Sequence, residues 1–334
     1  MIRIAISGFG RIGRTFLRTV LQDPRAVQKL KIVAINIGPA RLDTVAHMFK
    51  YDTVMGTYAG DVALEGNELV IDGYRIAIVA EIDPVKLPWK FYDIDWVVEC
   101  SGKCTNRAGA QKHRDAGAKR VLISSPAKDE DVTIIQGVND DAFDARTHTI
   151  VSLGSCTTNA CVPMLKVMHD TFGIVHCAMT TTHAYTNSQV LLDVEGEDLR
   201  RSRAAALNII PTSTGALKLV STIIPALDGR VSAVAIRVPV AIVSLIDCTI
   251  VTERPVTVDA INNAFVQATH STLSSILDVT KEPLVSSDFI GNSHSVVIDS
   301  LLTASAGTHM AKVFGWYDNE WGYSCRLKDF LIKL

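Results

Sequence analysis

Ile2-Arg3-Ile4-Ala5-Ile6-Ser7-Gly8-Phe9-Gly10-Arg11-Ile12-Gly13 decides the fold of the N-terminal half. Residues 2–7 read as a short apolar strand. The glycine pattern G-x-G-x-x-G follows at once, and a helical pattern runs on to about Leu21. Strand, glycine turn and helix in that order give the pattern its specificity for a dinucleotide. Gly8 permits the tight turn, Gly10 lets a pyrophosphate approach the backbone, and Gly13 lets helix and strand pack closely. The helix N-terminus then faces the phosphates. A second strand pattern, Leu30–Asn36, completes a β-α-β unit.

An acidic residue at the end of that second strand would bind the adenosine ribose hydroxyls and repel a 2′-phosphate. This chain has Ile37 there, followed by Gly38-Pro39. NAD remains the expected cofactor, but the electrostatic barrier against NADP is missing at this position. Arg41 is close enough in sequence to meet a 2′-phosphate. Its place at the start of the next helix suits a solvated side chain better.

Working outward, Asp95–Glu99 reads as a buried strand ending at Cys100-Ser101-Gly102, and a helix covers about Asn106–Ala116. Arg120–Ser124 and Thr149–Ser152 are further strands. Glu68–Ala80 alternates around Asp72-Gly73, a hairpin signal. Residues 1–154 therefore read as an α/β Rossmann dinucleotide-binding domain, a doubly wound sheet with an antiparallel excursion. Ser101 and Gly102 lie at a strand's carboxyl end, where such sheets place ligands.

Bulk composition narrows the function classes. The 334 residues carry 33 basic and 35 acidic side chains, a net charge of −2, with 48% hydrophobic residues. That supports a sizeable core and gives no electrostatic case for nucleic-acid or membrane partners. The seven cysteines are an odd set at irregular spacings, neither a disulfide framework nor a zinc-finger pattern. No metal site is expected. No signal peptide, transit peptide or membrane-length apolar span is apparent, so a reducing cytoplasm is the expected location.

Ser155-Cys156-Thr157-Thr158-Asn159 opens the second half. Cys156 begins a helix expected to run to about Phe172 and to bend at Pro163. A thiol at a helix N-terminus is a candidate nucleophile, because the helix dipole and a nearby imidazole lower its pKa. His183, further along, is the candidate imidazole. Beyond it, long β runs (Ile174–Thr182, Arg230–Val238, Ser244–Val251, His309–Trp316) alternate with helices near Gly215–Ile223 and Val258–His270. Residues 155–319 thus read as an α+β catalytic domain on a mostly antiparallel sheet. A closing helix at about 320–334 is expected to pack back on the first domain.

These motifs together resemble the phosphorylating glyceraldehyde-3-phosphate dehydrogenase family. The resemblance rests on Gly8–Gly13, Lys50-Tyr51-Asp52, Ser155–Asn159, Thr181–Asn187, Asp198–Arg201, Ile209–Gly215, Arg237-Val238-Pro239 and Trp316–Gly322, in the family's order and near its spacing. It implies a homotetramer that oxidises a phosphorylated aldehyde with NAD and inorganic phosphate. Cys156 would be the nucleophile and His183 the general base. Thr186 and Arg237, with Arg200 nearby, would hold the substrate's own phosphate. Ser155, Thr157, Thr214 and Gly215 would hold the attacking phosphate. Arg11, Ile12, Asn36, Ile37, Ser101, Gly102 and Ser124 would join the glycine loop around the cofactor, with Asn319 on the nicotinamide carboxamide and Tyr323 behind the ring.

Several positions depart from the family pattern. Leu153-Gly154 stands where Asn-Ala is usual, Ser188 where Asp is common, Val240 where Thr usually follows Val-Pro, and Ile82 where an arginine often lies near the adenine. None removes a catalytic group. The sister family, erythrose-4-phosphate dehydrogenase, shares the cysteine, histidine and glycine loop. The stretch Ala184-Tyr185-Thr186-Asn187 favours the glyceraldehyde enzyme. A non-catalytic nucleotide-binding protein is the remaining alternative, and the intact Cys156/His183 pair argues against it.

Overall fold

The computed structural model describes residues 1–334, which form two compact units. The first comprises Met1–Ile134, Asp141–Gly154 and Ser324–Leu334; the second comprises Ile135–Asp140 and Ser155–Tyr323. The short run Ile135–Asp140 thus leaves the expected range 1–154. Ile135 is buried in the second unit's core, and Thr272 donates its hydroxyl to the Gly137 carbonyl at 3.0 Å.

In the first unit the strand Ile2–Ser7 lies between the parallel strands Leu30–Asn36 and Trp96–Glu99. The sheet extends on one side through Tyr74–Val79, Glu68–Ile71 and Val62–Glu65, and on the other through Arg120–Ile123, Ile150–Ser152 and Val132–Thr133. The strands flanking Ile2–Ser7 follow it in opposite directions through the sheet, a topological switch point where open α/β sheets bind ligands. The only antiparallel pairs join Val62–Glu65, Glu68–Ile71 and Tyr74–Val79. Asp72 (φ 49°) and Gly73 (φ 81°) turn that hairpin with two left-handed residues, as Asp-Gly predicts. Ile4, Ala5 and Ile6 are fully buried, which explains an apolar run without alternation. Within this unit the last helix is anchored by Phe330, edge-on to Trp96 at 5.7 Å, and by Lys328 paired with Asp23 at 2.7 Å.

The helix Arg11–Leu21 starts immediately after the glycine turn. Gly8 has φ 92°, and a Cβ there would meet the Ser101 nitrogen at 2.5 Å. A Cβ on Gly13 would lie 2.2 Å from the Gly8 carbonyl oxygen, so helix and loop touch through bare backbone. Gly10 meets nothing within 4 Å. Gly13→Ala should therefore destabilise the protein by about 1–3 kcal/mol or more, as overpacking does. Gly10→Ala should leave stability nearly unchanged. Paired denaturant titrations check this, and equal stabilities for the two variants would contradict it.

The second unit is built on an eight-stranded sheet ordered Ile210–Thr212, Val231–Val238, Ile174–Ala184, Ser244–Thr252, Met310–Tyr317, Val296–Asp299 and Leu277–Thr280, with Ala304–Ala306 also paired to Met310–Tyr317. Two pairings are parallel, Ile174–Ala184 with Val231–Val238 and Leu277–Thr280 with Val296–Asp299; the rest are antiparallel. Burial alternates strictly along Ser244–Thr252, so one face of that strand is core. The helix Cys156–Phe172 contributes Met164, Leu165 and Met168 to the same buried cluster as Ile246, Cys248 and Val313. Pro163 lies inside this helix, which continues without interruption to Phe172. No helix is long and apolar enough to cross a membrane.

Candidate active site

The first unit carries a cleft of about 780 Å³ over the glycine loop. Gly8, Gly10, Asn36, Ile37 and Ser101 line it, together with Pro39, Glu81, Ile82, Pro84 and Cys104. The open space beside Gly10 and the helix beginning at Arg11 make a cradle for an anion of pyrophosphate type. Asn36 shapes the adenosine end: its amide donates to the Glu81 carbonyl at 3.0 Å and accepts from Gly38 N–H at 3.1 Å and Glu81 N–H at 3.1 Å. Ile37 is buried there, and Ile82 is exposed. Glu81, unremarked in the sequence, adds a carboxylate to this end; its Oε1 accepts from the N–H groups of Ile82 and Asp83.

Other expected cofactor residues do not line the cleft. Arg11 pairs with Asp52. Burial alone would raise the Asp52 carboxyl, but Arg11 and the N–H groups of Met55 and Val54 hold it down at about 2. Gly13 is packed under the loop, and Ile12 and Gly102 are likewise absent from the lining. Ser124 gives its hydroxyl to the Glu99 carbonyl at 2.8 Å. Arg41 is exposed and paired with Asp43, as the solvated reading has it.

At the cleft wall, Glu99, Cys104 and the fully buried His113 bring their polar atoms within 4.8 Å of one another. Hydrogen bonding gives the group its character. The Trp89 indole can only donate, so His113 Nδ1 accepts at 3.1 Å and Nε2 carries the proton shared with Glu99 at 2.9 Å. Burial pushes the Cys104 thiol up to about 11.

In the second unit Ser155 caps the helix, its hydroxyl accepting from Thr158 N–H at 3.0 Å. Cys156 follows, with Sγ 3.5 Å from His183 Nε2. His183 is buried near the end of Ile174–Ala184, opposite Arg237 in parallel register. Arg237 Nη1 lies 2.7 Å from His183 Nδ1 and donates to the Ala184 carbonyl at 2.8 Å. Burial and the Arg237 charge lower His183 to about 4. Burial also raises the Cys156 thiol, opposed first by Arg237 and then by Thr157. Burial of the thiol thus opposes the lowering that the helix terminus and the imidazole bring.

Tyr317, missed in the sequence as a site residue, ties the floor together. Its hydroxyl bonds Thr157 Oγ1 at 3.0 Å and Thr181 Oγ1 at 2.8 Å. Asn319 is buried, and its Oδ1 accepts from Val243 N–H at 3.0 Å, which leaves Nδ2 as the donor end for a ligand. Val243 holds a left-handed φ of 67°, rare for a β-branched residue. Such strain persists where the surroundings fix it.

Known proteins extend this geometry. Residues 2–107 match the family model described as glyceraldehyde 3-phosphate dehydrogenase, NAD binding domain, and residues 155–319 match its C-terminal domain. Glyceraldehyde-3-phosphate dehydrogenase 2 of Bacillus subtilis is 45% identical over 99% of this chain and 96% of its own length. Glyceraldehyde-3-phosphate dehydrogenase of Geobacillus stearothermophilus is 46% identical over 98% and 96%, and that of Kitasatospora aureofaciens 47% over 100% and 99%. The chain belongs to the glyceraldehyde-3-phosphate dehydrogenase family.

Within that family frame, the arginine cluster sorts by burial. Arg200 is exposed. Arg201 is half-buried, donates to Thr212 Oγ1 at 2.8 Å, and is close enough to Arg237 to depress its pKa. Arg203 pairs with Asp193 at 2.6 Å. Thr186 bonds Ser188 at 2.9 Å, at the position where many family members carry Asp. Thr214 and Gly215 precede the helix Ala216–Ile223, and Thr214 Oγ1 accepts from Ala216 N–H at 3.2 Å. Tyr323 is buried in the first turn of the last helix. All seven cysteines are free.

Proposed function

We propose that this chain catalyses reversible, NAD(P)-dependent oxidative phosphorylation of D-glyceraldehyde 3-phosphate to 1,3-bisphosphoglycerate. The approach of Cys156 Sγ to His183 Nε2 at a helix N-terminus, with Arg237 alongside, carries the reading. The Cys156 sulfur attacks the aldehyde carbon to give a thiohemiacetal. His183 takes the hydroxyl proton as the carbon loses hydride. A nicotinamide cofactor, when bound, supplies the hydride acceptor. The resulting thioester on Cys156 keeps the oxidation energy until phosphate displaces the thiol. The Cys156 N–H and protonated His183 stabilise the oxyanion.

Arg237 and Thr186 hold the substrate's phosphate in this reading, and the half-buried Arg201 supports that charge better than the exposed Arg200. Ser155, Thr157, Thr214 and Gly215 form the site of the attacking phosphate, although the Ser155 hydroxyl already makes two hydrogen bonds to Thr158 and the Thr157 hydroxyl one to Tyr317. Asn319 Nδ2 meets the nicotinamide carboxamide. The first unit (Met1–Ile134, Asp141–Gly154 and Ser324–Leu334) binds the cofactor and the second performs the chemistry. Leu191, Leu192, Leu199, Leu207 and Ile209 are exposed along one connection, and this apolar surface supports assembly into a homotetramer. Free thiols suit a cytoplasmic location.

The test is phosphate dependence. Omitting phosphate and arsenate should slow multiple turnover by about tenfold or more while a single-turnover burst survives, the mark of an acyl-enzyme. Unchanged multiple turnover would overturn the phosphorylating mechanism.

Ile37 carries the cofactor reading. Catalytic efficiency with NADP should fall within about tenfold of that with NAD, and Ile37→Asp should lower the NADP value selectively. Kcat/KM for both cofactors, in both proteins, decides it. Strong exclusion of NADP by the native chain would refute the reading.

A further inference from the structure

A line of hydrogen bonds runs from the core of the first unit to the wall of its cleft. Trp89 and His113 are fully buried and Glu99 is 2% exposed, whereas Ser101 lies open in the cleft wall. His113 belongs to the helix Arg107–Asp115, and Glu99 ends the strand Trp96–Glu99 opposite Ser7. The buried end fixes the direction of the line. An indole N–H only donates, and each ring nitrogen of His113 has one partner, so Nδ1 accepts from Trp89 at 3.1 Å and Nε2–H donates to Glu99 Oε2 at 2.9 Å. Glu99 Oε1 then accepts both donors of Ser101, the backbone N–H at 2.7 Å and the hydroxyl.

Two consequences meet at Ser101. Its backbone is the rest for the glycine loop, because a Cβ on Gly8 would lie 2.5 Å from the Ser101 nitrogen and 2.6 Å from its Cα. The Gly8 carbonyl in turn touches the helix at Gly13. With both donors committed to Glu99, Ser101 also offers the cleft acceptors alone, and its Oγ already takes Lys103 N–H at 3.1 Å. Such a surface takes a sugar hydroxyl and turns away a phosphate oxygen, which is left to the open space at Gly10 and the helix N-terminus.

We infer that Glu99 is a positioning residue for the dinucleotide: directed by Trp89 through His113, it holds Ser101 as an acceptor for a sugar hydroxyl and as the support of the glycine loop. This rests on the reading that the cleft takes a nicotinamide dinucleotide. Stability alone does not call for the carboxylate, since apolar groups of the same shape replace buried hydrogen-bonded partners at little loss. What the carboxylate adds is a direction, carried from a donor-only indole to an acceptor-only surface.

Glu99→Gln in the whole protein tests this. An amide offers one acceptor and one donor where the carboxylate offers two acceptors. Whichever way it turns, its N–H meets the N–H of His113 or of Ser101, because Trp89 bars the other imidazole tautomer. Calorimetric titration with NAD should show binding about tenfold weaker, the scale of a lost hydrogen bond to a charged group. The loss should fall on KM for NAD and spare KM for glyceraldehyde 3-phosphate. In a Trp89→Phe background His113 can turn an Nε2 lone pair to the amide, so there the same substitution should cost about twofold or less, a coupling the double-mutant cycle reads. Equal NAD binding by the native chain and Glu99→Gln overturns the positioning role. So does a matching rise in the aldehyde KM, the mark of general damage, and an equal cost in both backgrounds overturns the direction set by Trp89. A native chain that does not bind NAD removes the cleft reading and the inference with it. If Glu99→Gln does not fold, ¹⁵N-histidine spectra of the native protein decide, with His113 assigned by its shift in Trp89→Phe. An unprotonated Nδ1 and a protonated Nε2 are expected at neutral pH, and the reverse overturns the line.

Discussion

Cys156→Ser should lower kcat by about 10⁴-fold or more, the scale on which removal of a nucleophile acts. A serine hydroxyl ionises far less readily than a thiol, and His183, at about 4, is too weak a base to compensate. Any ester formed would also lack the thioester's driving force for transfer to phosphate. Cofactor binding should survive, because the glycine loop and its cleft belong to the other unit. Rapid-mixing absorbance and cofactor titration measure the two properties separately. Ordinary turnover by the serine variant would end the proposed mechanism.

His183→Asn should cost about 10² to 10⁴ in kcat, the usual worth of a positioned general base. It has a second consequence, for stability. The folded-state pKa of about 4 lies below the ordinary histidine value of 6.5, because burial and then Arg237 disfavour the imidazolium. Stability from the neutral ring is therefore complete above pH 6.5. It falls as pH drops toward 4, where the unfolded chain takes up a proton the folded chain refuses. Between pH 7 and pH 4 the native protein should lose on the order of 3 kcal/mol more than the asparagine variant. Urea unfolding at both pH values gives the difference. An equal loss in both proteins would show that His183 is not held neutral.

The first sheet was legible because its signals are local. The glycine loop, Asp72-Gly73 and the apolar runs each announce themselves within a few residues. The helix Pro24–Lys29 went unread although Asp23 and Pro24 form a recognisable start, the Asp23 side chain accepting from Arg25 N–H at 2.9 Å. Leu277–Thr280 and Val296–Asp299 are too short for periodicity to reveal. In the site, Cys156 and His183 stood out by residue type and setting. Tyr317 did not, because its role exists only where a helix and two strands converge on its hydroxyl. Arg201 was indistinguishable from Arg200 in sequence, since only the placement of Thr212 turns one inward. The thiol's raised pKa was unreadable too, because burial is a tertiary property.

The parallel register that sets His183 beside Arg237 also determines where this protein can tolerate changes in chain length. Side chains alternate faces along a strand, so deleting one residue inside Val231–Ile236 would turn position 237 to the opposite face of the sheet. The connection at 191–199 lies outside this register, and what constrains it instead is its exposed leucines and its own bonds, Val194 N–H to the Ser202 carbonyl and Arg203 to Asp193. Insertions and deletions among relatives should therefore spare the strand, so that the pairing of histidine and arginine stays in phase.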